Sequence, residues 1–181
     1  MENRYLGLGA APGIAIGPAV VWCPELPSVD KEPTTGSPEE ERARLKAAVR
    51  AAETELAELK SRTERELGPE EAAIFTAHLL MLADPALVGR AAGLISQGES
   101  ADTAMAQAVA EQAALLEALP DEYLAERAAD VRDAGGRVLA HLRGQQQQLP
   151  QLDVPSIVVA PDLTPSQTAR LPKERLLGLA T

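Results

Sequence analysis

Between Ser37 and Gly144 apolar residues recur at spacings of three and four, the period of helices that bury one face. Leu45, Val49, Ala52, Leu56 and Leu59 form the first stripe, with Glu, Lys and Arg on the remaining faces. Ser37-Pro38-Glu39-Glu40 precedes it as a capping box with Pro at the first helical position, so a long helix is expected to run on to Gly68. Such a face packs antiparallel neighbours in a bundle. The next stretch, GPEEAAIFTAHLLMLADP from Gly68 to Pro85, carries two stripes. Phe75, Leu79 and Leu82 make one; Ile74, His78 and Met81 make another, rotated by about 100°. So wide an arc means either a sandwiched helix or a stripe left for a partner. Asp84-Pro85 ends this helix and offers a cap to a short one over Pro85–Gln97, with Leu87, Ala91, Leu94 and Ile95, closed by Gly98. Ser100 caps an Ala-rich helix with Met105, Val109, Gln112, Leu116 and Leu119, stopped by Pro120. The last stripe, Leu124, Ala128, Val131, Gly135, Val138 and Leu142, predicts a helix from Asp121 to about Arg143, ended by Gly144. Gly135 inside it costs roughly 1 kcal/mol of helix propensity, which points to a close backbone approach.

On either side the period changes. Gly13–Ile16 and Ala19–Trp22 are short β-prone runs broken by Gly17-Pro18, and Pro24 to Gly36 reads as a loop. Gln145 to Gln148 followed by Pro150 reads as a polar linker. Ile157–Ala160 reads as a strand, Thr164-Pro165-Ser166-Gln167 as a second capping box opening a helix to about Leu171, and Leu176–Thr181 as another strand. The expected fold is α+β and mainly α: a helical bundle over 37–144 inserted into an incomplete α/β unit built from 1–36 and 145–181. The apolar run at the chain end, with no polar tail, suggests a central strand of an unfinished sheet.

Composition narrows the function. With 17 Lys plus Arg against 27 Asp plus Glu the formal charge is −10, and aromatic residues make up 2%. Neither property suits a nucleic-acid binder, whereas an acidic surface favours a basic protein partner. The single Cys23 allows no internal disulfide and, without His or Cys neighbours, no metal site. No signal peptide and no span of 18 apolar residues is apparent, so a cytoplasmic protein is expected.

The order GLGAAPGIAIGPA, EEAAIFTAHLLMLADP, DEYLAERAADVRD, VAPDLTPSQTARL and LLGLAT resembles the amino-terminal part of the Enzyme I family, the phosphoenolpyruvate-protein phosphotransferases of the bacterial sugar phosphotransferase system. The resemblance runs along nearly the whole chain and implies an α/β phosphohistidine domain with an inserted helical domain that docks the carrier HPr. In that family a histidine in a GGxTSHxAI motif takes phosphate from phosphoenolpyruvate and passes it to HPr. The motif is absent here, as is the later barrel that binds phosphoenolpyruvate and Mg²⁺. The chain therefore looks like a truncated piece, without a cofactor of its own, that docks HPr as a monomer but does not perform the family reaction alone.

The docking face implied by the resemblance comprises Glu70, Ile74, His78, Leu80, Met81, Asp84 and Leu87, with Arg127 from the last helix. Pro69 and Glu71 depart from charges that some members carry there. An apolar patch with Met for adaptable packing and a charged rim suits a transient protein contact. Thr164 matches a threonine whose hydroxyl bonds the acceptor histidine in the family, and it is equally a plain N-cap. Of the two histidines, His78 has no carboxylate or second ligand at suitable local spacing and reads as a docking or core residue. His141, near a helix end, complements the dipole. Two further readings stand beside this one: an Enzyme I-like segment of a multidomain carrier of the dihydroxyacetone kinase type, and a helical scaffold with no phosphotransfer role.

Overall fold

The computed structural model of the protein describes residues 6–23, 36–144, 149–161 and 163–181. The linker expected at Gln145–Gln148 and the loop from Pro24 to residue 35 lie outside those residues. Contacts divide the chain into two units. One comprises Met1–Cys23, Pro150–Asp162 and Leu171–Thr181; the other comprises Pro24–Leu149 and Leu163–Arg170.

The helical unit begins with α1, Pro38–Glu66. Its capping box is formed in both directions: Glu40 N–H donates to Ser37 Oγ at 3.3 Å and Ser37 N–H donates to Glu40 Oε2 at 2.7 Å. The whole expected stripe of α1 is buried. Gly68, at φ +118°, supplies the turn that an L side chain resists and leads into α2, Pro69–Ala83. Asp84 Oδ1 accepts the Ala86 N–H at 2.8 Å, as a cap should. The segment beyond Asp84 is not one helix. Pro85–Gly89 is a single π-type turn, with the Asp84 carbonyl accepting from both Leu87 and Val88, before α3 spans Arg90–Ser96. The wide turn carries Leu87 into the core.

Helix α4, Ala101–Glu117, starts at the Ser100 cap and is tied to α1 by Glu41, a buried carboxylate whose Oε2 accepts the Ala101 N–H at 2.8 Å. Helix α5, Glu122–Leu142, packs on α4 through Gly135, whose backbone lies against Val109. The close approach expected at Gly135 is present. One core joins α1 to α5: Leu56, Phe75, Leu82, Ile95, Met105 and Val138 are each no more than 2% exposed. Burying side chains of this size stabilises by about 1.5–3 kcal/mol apiece. Helix α6, Pro165–Arg170, belongs to this unit as well, although its sequence neighbours are strands.

The second unit is a parallel three-stranded sheet in the order β1-β2-β3, with β1 at Ala19–Val21, β2 at Ser156–Val159 and β3 at Leu176–Ala180. Val20 pairs with Val158, and Val158 with Leu179. The strand expected at Gly13–Ile16 does not form. Ile14 and Ile16 are 93% and 89% exposed, and β propensity without a ladder partner leaves only extended chain.

Candidate docking face and the polar chain behind it

Helix α2 is seated by Phe75 and Leu82, both 2% exposed. On the other side Leu80, Ala73, Ala77, Met81 and Ile74 fall within about 120° of one another at 3.6 residues per turn. Leu80 is 68% exposed, Ala73 is exposed, and Ala77, Met81 and Ile74 are half-buried. Glu70, Glu71 and Asp84 stand exposed at the two ends of this apolar arc. Of the residues expected on the docking face, Glu70, Ile74, Leu80, Met81, Asp84 and Arg127 reach the surface in whole or in part.

His78 and Leu87 do not. They are 0% and 2% exposed, so the structure corrects their placement on the surface. The stripe Ile74-His78-Met81 is split: His78 lies about 40° from Ile74 toward Phe75 and Leu82 and is covered by α5. Phe75 meets the imidazole edge-on at 6.0 Å between ring centres.

The expectation that His78 has no carboxylate partner is also overturned. Two aspartates of α5 flank the ring: Nε2 is 3.4 Å from Asp130 Oδ1, and Nδ1 is 3.9 Å from Asp133 Oδ2 without a hydrogen bond of its own. Both carboxylates are engaged further. Arg127 Nη1 donates to Asp130 Oδ2 at 2.8 Å, while its other arm reaches the Tyr123 hydroxyl and its plane lies 4.5 Å from the Tyr123 ring centre. These bonds, that to Asp130 foremost, raise the Arg127 pKa above its ordinary value. Asp133 accepts the Ser166 hydroxyl at 2.5 Å and the Ser166 N–H at 3.4 Å. A polar chain thus runs Tyr123–Arg127–Asp130–His78–Asp133–Ser166, with its middle members buried.

Its far end is the cap of α6. Thr164 Oγ1 accepts the Gln167 N–H at 3.3 Å, and Gln167 Oε1 accepts the Thr164 N–H at 2.9 Å, so the capping reading of Thr164 holds in both directions. Ser166 Oγ is 3.2 Å from Thr164 Oγ1. A second polar group centres on Glu55. Its Oε1 is 2.9 Å from Nη1 of the fully buried Arg137 and 3.3 Å from Arg170 Nη1, and its Oε2 is 3.3 Å from His141 Nε2. His141 thus finds a carboxylate of α1 in addition to its place in the last turn of α5. Glu55, Glu58, Leu59, Arg62, Arg65 and Arg170 line a shallow cleft of about 380 Å³. Its arginines are engaged: Arg62 donates to the Ala169 carbonyl at 3.0 Å and Arg65 to the Ser61 carbonyl at 3.2 Å. No group of three or more His, Cys, Asp or Glu side chains is arranged for a metal ion among the described residues. No single helix among them is long and apolar enough to cross a membrane.

The partners missed from sequence are Asp130, Asp133 and Ser166. Their signal lies in the segment DVRD: Asp130 and Asp133 share a side of α5 with Arg137, which looks like a solvated face until α1, α2 and α6 are laid on it.

Fold and site together define an α+β protein whose helical unit displays an apolar arc bordered by carboxylates. The family described as PEP-utilising enzyme, N-terminal, matches residues 6–127, and the chain belongs to it. It is 37% identical over 183 residues to the phosphoenolpyruvate-protein phosphotransferase of Staphylococcus aureus, covering all of this chain and 32% of that protein. It is 41% identical over 183 residues to the protein of that name from Geobacillus stearothermophilus, covering 99% of this chain and 31% of the relative. The chain spans about a third of the length of the curated relatives it matches. Among solved structures, an NMR solution structure of an Enzyme I protein superposes with a TM-score of 0.75 at 38% identity, over 94% of this chain and 70% of that one. The N-terminal domain of Enzyme 1 – Nitrogen superposes with a TM-score of 0.64 at 32% identity, over the same shares.

Proposed function

We propose that this chain is the carrier-docking part of a phosphoenolpyruvate-protein phosphotransferase and that it binds HPr in the cytoplasm. The observation that carries the reading is the apolar arc of α2, with Leu80 at 68% exposure beside the half-buried Met81 and Ile74. A soluble helix gains nothing from such a face unless something covers it. Glu70, Glu71 and Asp84 at its ends, on a chain of net charge −10, favour a basic partner. Arg127 on α5 adds a cation for an anionic group of that partner. Phosphate transfer itself belongs to the longer family protein, with its acceptor histidine, Mg²⁺ and phosphoenolpyruvate site. A carrier that must leave after each transfer needs an interface of the small, transient class, with a dissociation constant on the order of micromolar.

Titration of ¹⁵N-labelled HPr with the chain tests this. Saturable shifts on one face of HPr are expected, weakening with salt as the attraction is screened. Met81→Asp puts an unpaired charge into the arc and should weaken binding at least about tenfold with helicity intact. No shift of any HPr resonance at millimolar concentration would leave a helical scaffold as the better reading.

A further inference from the structure

We propose that His78 is a positioning residue that couples Arg127, beside the docking face, to the Thr164–Ser166 cap of α6. The proposal extends the docking reading, in that an anionic group of a docked partner is what would draw on Arg127. The links are those of the buried chain, and the bonds made by Ser166 and Arg127 have a defined direction. Ser166 has one hydroxyl proton and gives it to Asp133, so toward Thr164 its oxygen accepts, and the Thr164 hydroxyl donates. Arg127 donates to Asp130, and the His78 ring stands between the two aspartates. His78 and Ser166 are 0% exposed and Asp133 is 4% exposed, so water does not replace a missing partner between His78 and Ser166.

The ring is the element with two arrangements. Its Nε2 side is within 3.4 Å of Asp130, whereas Nδ1 is buried, has no hydrogen-bond partner and faces Asp133 from 3.9 Å. A small displacement toward Asp133, with the proton on Nδ1, would form a hydrogen bond there in competition with Ser166. A displacement toward Asp130 would leave Asp133 to Ser166 alone. Arg127 sets the balance because it is the other donor to Asp130. When Arg127 turns to an outside anion, the imidazole is the protein partner left to Asp130, and the ring is drawn away from Asp133. Docking at Arg127 therefore strengthens the Ser166–Asp133 contact and changes the cap at Thr164. Arg127 and Asp133 lie six residues apart on α5, about 9 Å along the axis, so the effect travels beyond direct contact.

The test separates this coupling from docking by perturbing Arg127 without a partner. In the ¹⁵N-labelled chain, Arg127→Ala should shift the amides of Ser166 and Gln167 and both ring nitrogens of His78. In a His78→Gln background the amide can stand where Nε2 stands and nothing faces Asp133. There the Arg127→Ala response at Ser166 and Gln167 should fall at least twofold. A Ser166 response of equal size in the two backgrounds would overturn the proposal. If His78→Gln does not fold, the ring nitrogens decide: no change in their resonances on Arg127→Ala overturns it. In a second arm, HPr is added to the wild-type chain. Shifts on α2 with none at Ser166 would refute the coupling and leave docking intact. Absence of HPr binding would refute docking, and the Arg127 arm would still judge the coupling.

Discussion

Gly135 and Gly136 are neighbours in α5 and give opposite results when a single methyl group is added to each. A Cβ on Gly135 would stand 2.2 Å from Val109 Cγ2 and 3.3 Å from Cγ1, whereas one on Gly136 would meet nothing within 4 Å. Both substitutions to Ala gain the same helix propensity, about 0.5–1 kcal/mol. Only Gly135→Ala forces Val109 aside. That residue is buried and β-branched, holding one strongly preferred rotamer in a helix, so relief must come from moving α4 away from α5. Overpacking of this kind costs about 1–3 kcal/mol. Gly136→Ala should therefore stabilise, Gly135→Ala should not, and the difference between them, free of the shared propensity term, should be about 1–3 kcal/mol. Urea unfolding followed by helical circular dichroism reads both. Combining Gly135→Ala with Val109→Ala should cost less than the sum of the two single changes. If Gly135→Ala matched Gly136→Ala within about 0.5 kcal/mol, the close α4–α5 contact would be refuted.

Two further expectations concern helix ends and charge. Ser37→Ala removes one arm of the α1 capping box and should cost about 1 kcal/mol, measured as a lower urea midpoint; an unchanged midpoint would mean that the cap contributes nothing. Glu111 has its pKa lowered to about 2, first by the hydrogen bonds from Arg90 and then by that from Gln107. A carboxylate depressed by folding contributes stability above its unfolded pKa, and the contribution disappears as pH falls through the folded value. The stability gap between wild type and Glu111→Gln should accordingly narrow as the pH falls from about 5 to 2, modestly because the pair is exposed, and a gap constant over that range would contradict the pairing.

The bundle was legible in the sequence because its determinants are local. The caps at Ser37, Asp84, Ser100 and Thr164, the stops at Gly68, Gly98 and Gly144 and the stripe of α1 all depend on residues within a few positions of one another. Strand pairing was less legible. Ala19–Val21 forms because Ile157–Val159 lies beside it, and Gly13–Ile16, equally β-prone, has no such neighbour among the described residues. The candidate site divided in the same way. Ile74 and Met81 were readable as a surplus apolar stripe and Leu80 came with the family resemblance, but whether His78 belonged to that face depended on α5, 52 residues away. Carboxylates at Asp130 and Asp133 look solvated in any local window, since burial of a charge is decided by what packs over it.

That burial has a consequence for α6. It is six residues long, too short to hold its shape alone, and Ser166 is its only fully buried residue. The apolar contact it offers is the half-buried Ala169, so hydrophobic packing does not settle its place. Three polar ties do so instead: Ser166 to Asp133, the Arg62 guanidinium to the Ala169 carbonyl, and Glu55 to Arg170. Buried carboxylates and a buried imidazole add little net stability compared with apolar residues of the same volume, because desolvation offsets much of what their pairing contributes. What they supply is position, since a hydroxyl with one proton is satisfied in only a narrow range of geometries. An element held by directional bonds responds to a change in the charge at the other end of those bonds, whereas one held by apolar packing would not. On the coupling proposed above, the cap of α6 is the part of this helical unit expected to respond to events at Arg127, whereas Leu56, Phe75 and Val138 belong to the apolar core and carry none of those directional bonds.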